Sequence, residues 1–108
     1  MNRFEQELKN GNFICSECMR CNKLVWPPSD YCDMCFSSVI WRQISKKATL
    51  LEFSYKEGEC FGMVELEGQI RVIGTIHSSK PKIGEKLILA KCGYDNGVKF
   101  TFEEVQEK

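Results

Sequence analysis

The sequence predicts a mainly β protein in three consecutive parts: a short helix within 1–12, a zinc ribbon over 13–45 and a five-stranded barrel over 46–108. Three observations predict it. Two matched cysteine pairs, Cys18-Met-Arg-Cys21 and Cys32-Asp-Met-Cys35, stand ten residues apart. From Lys46 onward apolar residues recur with period two, interrupted only by turn residues. Ahead of both, Phe4 and Leu8 recur at helical spacing, and Gly11 follows where a helix would stop.

The segment from Asn2 to Asn10 reads as the helix. Nine residues do not hold a helix alone, so the Phe4–Leu8 stripe must dock, either on this chain's own ribbon or on a partner. The sequence does not choose between them.

The ribbon rests on metal chemistry. Each C-x2-C turn places two thiolates on one ion, and tetrahedral Zn²⁺ takes four such ligands at about 2.3 Å. The candidate ligands are Cys18, Cys21, Cys32 and Cys35. Cys15-Ser-Glu-Cys18 offers a competing pair, but its use leaves a thirteen-residue gap and strands Cys21. The first register also puts Asn22, which tolerates a left-handed backbone, just after the knuckle. Cys15, Cys60 and Cys92 are then read as small buried apolar residues. Redox chemistry is the alternative use of these thiols, but an isolated redox motif needs only one C-x-x-C. Between the knuckles, Pro27-Pro28 fixes an extended segment and a turn back to Cys32. Val39, Ile40 and Trp41 mark the strand leaving the ribbon.

Five strands follow: Ala48 to Tyr55, Cys60 to Leu66, Gln69 to His77, Lys86 to Cys92 and Val98 to Val105. Lys56-Glu57-Gly58, Glu67-Gly68, Lys80-Pro81-Lys82-Ile83-Gly84 and Tyr94-Asp95-Asn96-Gly97 separate them as turns. Five strands joined by short connections fit a small barrel. An OB-fold is the best-known case, with an SH3-like barrel as competitor.

Composition narrows the function. The chain is 43% hydrophobic and 28% charged, ordinary for a globular protein. Fifteen basic and fifteen acidic residues balance to zero, whereas a nucleic-acid binder usually carries a basic excess. Met1-Asn2-Arg3-Phe4-Glu5 has no apolar leader core and no apolar run reaches membrane-spanning length, so the expectation is a cytoplasmic protein without a membrane partner, in a compartment where disulfides are scarce. His77, the one histidine, ends a strand without a nucleophile beside it; Cys60 and Cys92 lack a local base; Glu65 and Glu67 read as a solvated hairpin end. No catalytic group is expected. Arg42, Lys46 and Lys47 lie at the ribbon–barrel boundary, as a solvated linker or as contacts for a phosphate-bearing ligand. Trp26 and Trp41 are read as ribbon packing, with an aromatic wall beside a ligand channel as the alternative.

The ordered set Cys18, Cys21, Pro27-Pro28, Cys32, Cys35 and Trp41, followed by a five-stranded barrel, resembles one family. These are the acyl-CoA-associated OB-fold proteins with a rubredoxin-like zinc ribbon, first catalogued as a domain of unknown function. Val64-Glu65-Leu66-Glu67-Gly68-Gln69-Ile70-Arg71-Val72 looks like that family's acidic-glycine hairpin, and Ile83-Gly84-Glu85-Lys86-Leu87 like its glycine turn. Asn22, Ser29 and Phe36 depart from the family's usual glycine, arginine and glycine. The resemblance implies a non-catalytic accessory or scaffold subunit with one structural Zn²⁺. It would bind a thiolase-fold enzyme, of the acetoacetyl-CoA thiolase or HMG-CoA synthase type or a lipid-transfer or hydratase relative, and help to hold CoA or acyl-CoA as a shared ligand. In archaeal assemblies such a subunit bridges two enzymes around the pantetheine. The rival is an OB-fold protein binding single-stranded nucleic acid, with Phe53, Tyr55, Phe61, Phe100 and Phe102 as stacking candidates.

Overall fold

The computed structural model describes residues 2–105, so Met1 of the expected helical part and residues 106–108 of the expected barrel lie outside it. Helix α1 (Arg3–Lys9) starts at Asn2, whose side-chain oxygen accepts a hydrogen bond from the Glu5 N–H at 2.8 Å. That N-cap satisfies one of the donors a helix start leaves unpaired. The helix ends into Gly11, at φ 85.

The ribbon is a three-stranded antiparallel sheet of β1 (Ile14–Cys18), β2 (Lys23–Val25) and β3 (Ile40–Gln43), in the order β2-β1-β3. The barrel contains β4 (Lys47–Lys56), β5 (Glu59–Leu66), β6 (Ile70–His77), β7 (Lys86–Tyr94) and β8 (Val98–Glu104). It closes in the order β4-β5-β6-β8-β7, with β7 pairing back onto β4. Only β6 and β8 run parallel. Every boundary of the five barrel strands lies within two residues of its expected place. This is the OB-type barrel, on a cysteine-bearing ribbon.

Local chemistry explains the hairpins. Between β4 and β5 the two-residue turn Glu57-Gly58 has φ 53 and 82, the left-handed pair whose twist matches the flanking strands. Inside the barrel, β5 turns Cys60, Val64 and Leu66 to the core, and β6 turns Ile70, Val72 and Ile76. Gly62 and Gly74 face each other across this pair. A Cβ on Gly62 would lie 2.6 Å from the Glu52 carbonyl oxygen, and one on Gly74 2.8 Å from that of Phe100. Both glycines let neighbouring backbone come close.

One continuous core joins the three parts. Phe4, Leu8, Phe13, Cys15 and Leu24 pack in the same cluster as Leu50, Val64, Leu87, Phe100 and Phe102 of the barrel. Phe13 is the joint: its ring lies 4.9 Å from Phe100, 6.0 Å from Trp26 and 6.1 Å from Phe4. Helix α1 therefore docks on its own chain, against both β1 and β7. Burial of Phe4 and Leu8 contributes about 2 kcal/mol each, which holds a helix too short to stand alone. Trp26 packs edge-on to Phe4 at 5.8 Å, and Trp41 lies under the Arg3 guanidinium at 5.5 Å. A second, separate cluster of Cys18, Val25 and Cys32, backed by Cys35 and Val39, lies at the outer end of the ribbon. Among the described residues no helix is long and apolar enough to cross a membrane.

Candidate metal centre

Two loops bring four sulfurs together. Cys18 ends β1, and Cys21 sits in the turn to β2; Cys32 and Cys35 lie in the connection from β2 to β3, which the Tyr31–Ser38 bridge closes. After each pair the backbone turns left-handed, at Asn22 (φ 54) and Phe36 (φ 60). Asn accepts this readily; for Phe36 it costs about 1–2 kcal/mol. These are the two positions where the resembled family usually has glycine.

The sulfurs all lie within 4.8 Å of one another, with Cys18 and Cys35 at 3.5 Å and Cys21 and Cys32 at 3.9 Å. A tetrahedron with metal–sulfur bonds of 2.3 Å has edges of about 3.8 Å, so the set matches an ion of zinc's size. The Cys21 N–H donates to the Cys18 sulfur at 3.3 Å, and the Met34 N–H to that of Cys32 at 3.4 Å. Such bonds favour thiolates. Hydrogen bonds from Ser37 bring the Cys35 thiol down to about 6, and those from the Cys35 and Met34 backbone lower Cys32. Cys21 is pushed up to about 12 by its hydrogen bond to Cys35. Four thiolates this close together need a cation among them. The residues could hold a metal ion, and their donor set suits zinc.

Cys15 stands apart from this group. Its buried Sγ donates to the Val25 carbonyl at 3.1 Å, and burial raises it to about 11. Burial also raises Cys60 and Cys92.

Behind the centre, the ribbon is tied to the barrel by Arg42. Its Nε and Nη2 donate to Glu17 at 3.1 and 3.3 Å, and its Nη1 and Nη2 to Glu67 at 2.9 and 2.7 Å. A further Nη1 bond reaches the Gln43 carbonyl. All five N–H donors are taken. Arg42 is therefore a brace, not the phosphate contact its sequence position suggests. Glu67 also accepts from the Ser45 N–H at 2.8 Å, and its side chain is only 19% exposed, so it is not the solvated hairpin end expected beside Glu65. On the other flank, the Leu24 N–H donates to Gln69 Oε1 at 2.8 Å.

No family model and no curated protein matches this sequence. Solved structures do. The chain superposes on the Ltp2-ChsH2(DUF35) aldolase with a TM-score of 0.74 and 16% identity, over 96% of both chains. It also superposes on a protein of unknown function from the DUF35 family of Sulfolobus solfataricus, with a TM-score of 0.66 and 17% identity, over 92% of this chain and 81% of that one. The chain has the DUF35 fold. At these identities the likeness establishes the architecture.

Within the DUF35 fold the three expected cations do not converge. Lys46 lines a cleft with Gly11, Asn12, Lys91 and Cys92, whereas Lys47 lines a groove with Glu65, Glu67 and Lys86. Strand alternation separates the two neighbours. Sequence reasoning missed Glu17, Gln69 and Lys91, whose partners are remote in the chain.

The brace makes stability pH-dependent. The Arg42 hydrogen bonds hold the Glu67 carboxyl below its ordinary 4.5. A depressed carboxyl contributes stability in full above that value and loses it as pH falls through the folded value. Thermal unfolding between pH 6 and 3 is expected to show a steeper acid loss for the native chain than for Glu67→Gln. Parallel profiles would show that the brace adds nothing, as many exposed ion pairs do.

Proposed function

We propose that this chain is a zinc-bearing accessory subunit that docks on a thiolase-fold enzyme, of the acetoacetyl-CoA thiolase or HMG-CoA synthase type, and helps to hold acyl-CoA. One observation carries the reading: the outward β5–β6 face, where OB barrels take up oligonucleotides, is apolar here rather than cationic. Phe61 and Met63 are half-buried on it, Ile73 is 67% exposed, and Ile83 beside them is 71% exposed. Its arginine, Arg71, is paired to Glu65 at 3.3 Å. A strand of nucleic acid needs cations along its backbone; an enzyme surface needs area to exclude water. Met19, Met34 and Phe36 stand exposed around the four sulfurs and offer a second apolar surface. The DUF35 component in the name of the Ltp2-ChsH2(DUF35) aldolase supports an assembly with an enzyme. Zinc in this reading is structural, held by Cys18, Cys21, Cys32 and Cys35, and the chemistry belongs to the partner.

Affinity capture of the chain from its native cell, with mass spectrometry and reconstitution, tests this. A thiolase-fold enzyme is expected in stoichiometric amount, with turnover of acyl-CoA by the complex and none by the purified chain. Thiolase, hydratase or thioesterase turnover by the chain alone would sink the accessory role. Tight, salt-sensitive binding of single-stranded DNA or RNA with no enzyme recovered would establish the rival.

A further inference from the structure

We infer that the cleft between the α1–β1 turn and the bulge of β7 is a phosphate-binding site built on Lys46 and Lys91. The cleft has a volume of about 70 Å³, on the scale of one tetrahedral oxyanion. Lys46 enters from the chain that leads into β4, and Lys91 from β7; the Leu89 N–H bonded to the Lys46 carbonyl at 2.8 Å fixes the two elements side by side. Ala90 is the extra residue of a bulge, where the β7–β8 register shifts between Leu89 and Lys91. It opposes no residue of β8, so the ladder is open at the cleft.

Charge decides the ligand. The lining holds two cations and no carboxylate. Neither ammonium has an ion pair among the described residues. Glu7 is outside the lining and is tied to it through the Asn12 amide, which donates to its Oε2 at 3.0 Å. The groove holding Lys47 and Lys86 differs: its lining includes two carboxylates, Glu65 and Glu67, and the Lys86 ammonium donates to Thr49 Oγ1. Of these two lysine-bearing grooves, only the first has no carboxylate in its lining. Two lysines in the lining of one small concavity match the charge of a phosphate ester. The identity of the phosphate-bearing molecule as a nucleotide such as the CoA head group rests on the proposed function; the site itself does not.

Amide NMR of the full zinc-loaded chain, titrated separately with inorganic phosphate and with adenosine 3′,5′-bisphosphate, tests the inference. Saturable shifts are expected at Gly11, Asn12 and Ala90 to Cys92, weakening as salt rises. Lys46→Gln and Lys91→Gln should each lower affinity about fivefold, while Lys47→Gln leaves it unchanged. Both lysines are exposed, and the same spectra verify that the variants are folded. No saturable shift at these amides, or equal loss from Lys47→Gln, overturns the site. Bisphosphate binding tighter than inorganic phosphate supports a nucleotide ligand; equal binding overturns that part and leaves an oxyanion site. Enzyme capture is read separately: a failed titration with capture intact sinks the cleft alone, and binding without capture sinks the accessory role alone.

Discussion

Cys18→Ser and Cys32→Ser are each expected to abolish stoichiometric zinc, whereas Cys15→Ser retains it. Elemental analysis of the purified variants reads this directly. The expected effect is large because structural zinc contributes about 10–16 kcal/mol of apparent binding energy in zinc-finger peptides, and that energy is folding energy. Here it acts on little else: the outer cluster holds only Cys18, Val25 and Cys32, with Cys35 and Val39 against it. The four sulfurs lie within 4.8 Å of one another, so their thiolate forms repel unless a cation lies among them. The loop from Cys18 to Cys35 should lose order while the barrel keeps its own. Barrel amides such as those of Val64 and Val72 should remain dispersed after chelation, and those of Asn22 and Phe36 should not. Zinc lost from Cys15→Ser but retained by Cys18→Ser would overturn the ligand set.

Phe13→Ala is expected to destabilise the protein by about 3–5 kcal/mol, the cost of deleting a buried aromatic side chain. Phe13 touches Phe4 of the helix, Trp26 of the ribbon and Phe100 of the barrel, so its loss leaves a cavity where all three meet. Phe13→Leu refills part of the volume and should recover more than half of the loss. Urea unfolding followed by tryptophan fluorescence measures both, since Trp26 reports on this joint. A shift in midpoint below that expected for about 1 kcal/mol would mean that ribbon and barrel are stable independently. The continuous core would then be contact without coupling.

The two changes act at opposite ends of the ribbon. Zinc orders the knuckles, and Phe13 with the Arg42 brace fixes them relative to the barrel. In the proposed role both are needed, because a scaffold presents two surfaces to a partner in fixed geometry.

Much of this was legible in the sequence. Period-two alternation located all five barrel strands, since side chains that alternate between core and solvent leave their mark residue by residue. Glycine pairs such as Glu57-Gly58 marked turns because a left-handed backbone is a local demand. The spacing of the knuckles pointed to four cysteines, and the structure gathers the same four while leaving Cys15 bonded to Val25.

What the tertiary structure decided lies between residues far apart in the chain. Arg42 reads as a free cation until the barrel brings Glu67, 25 residues away, against it. Helix α1 reads as a possible docking element for a partner until Phe4 meets Phe13 and Trp26. Lys46 and Lys47 read as one cluster, yet alternation sends them to different grooves, and closure of β7 onto β4 gives Lys46 the company of Lys91. Propensity, turn chemistry and ligand spacing act over a few residues and are written in order along the chain. Which charges meet depends on strand register and barrel closure, which are set by the packing of the whole core at once.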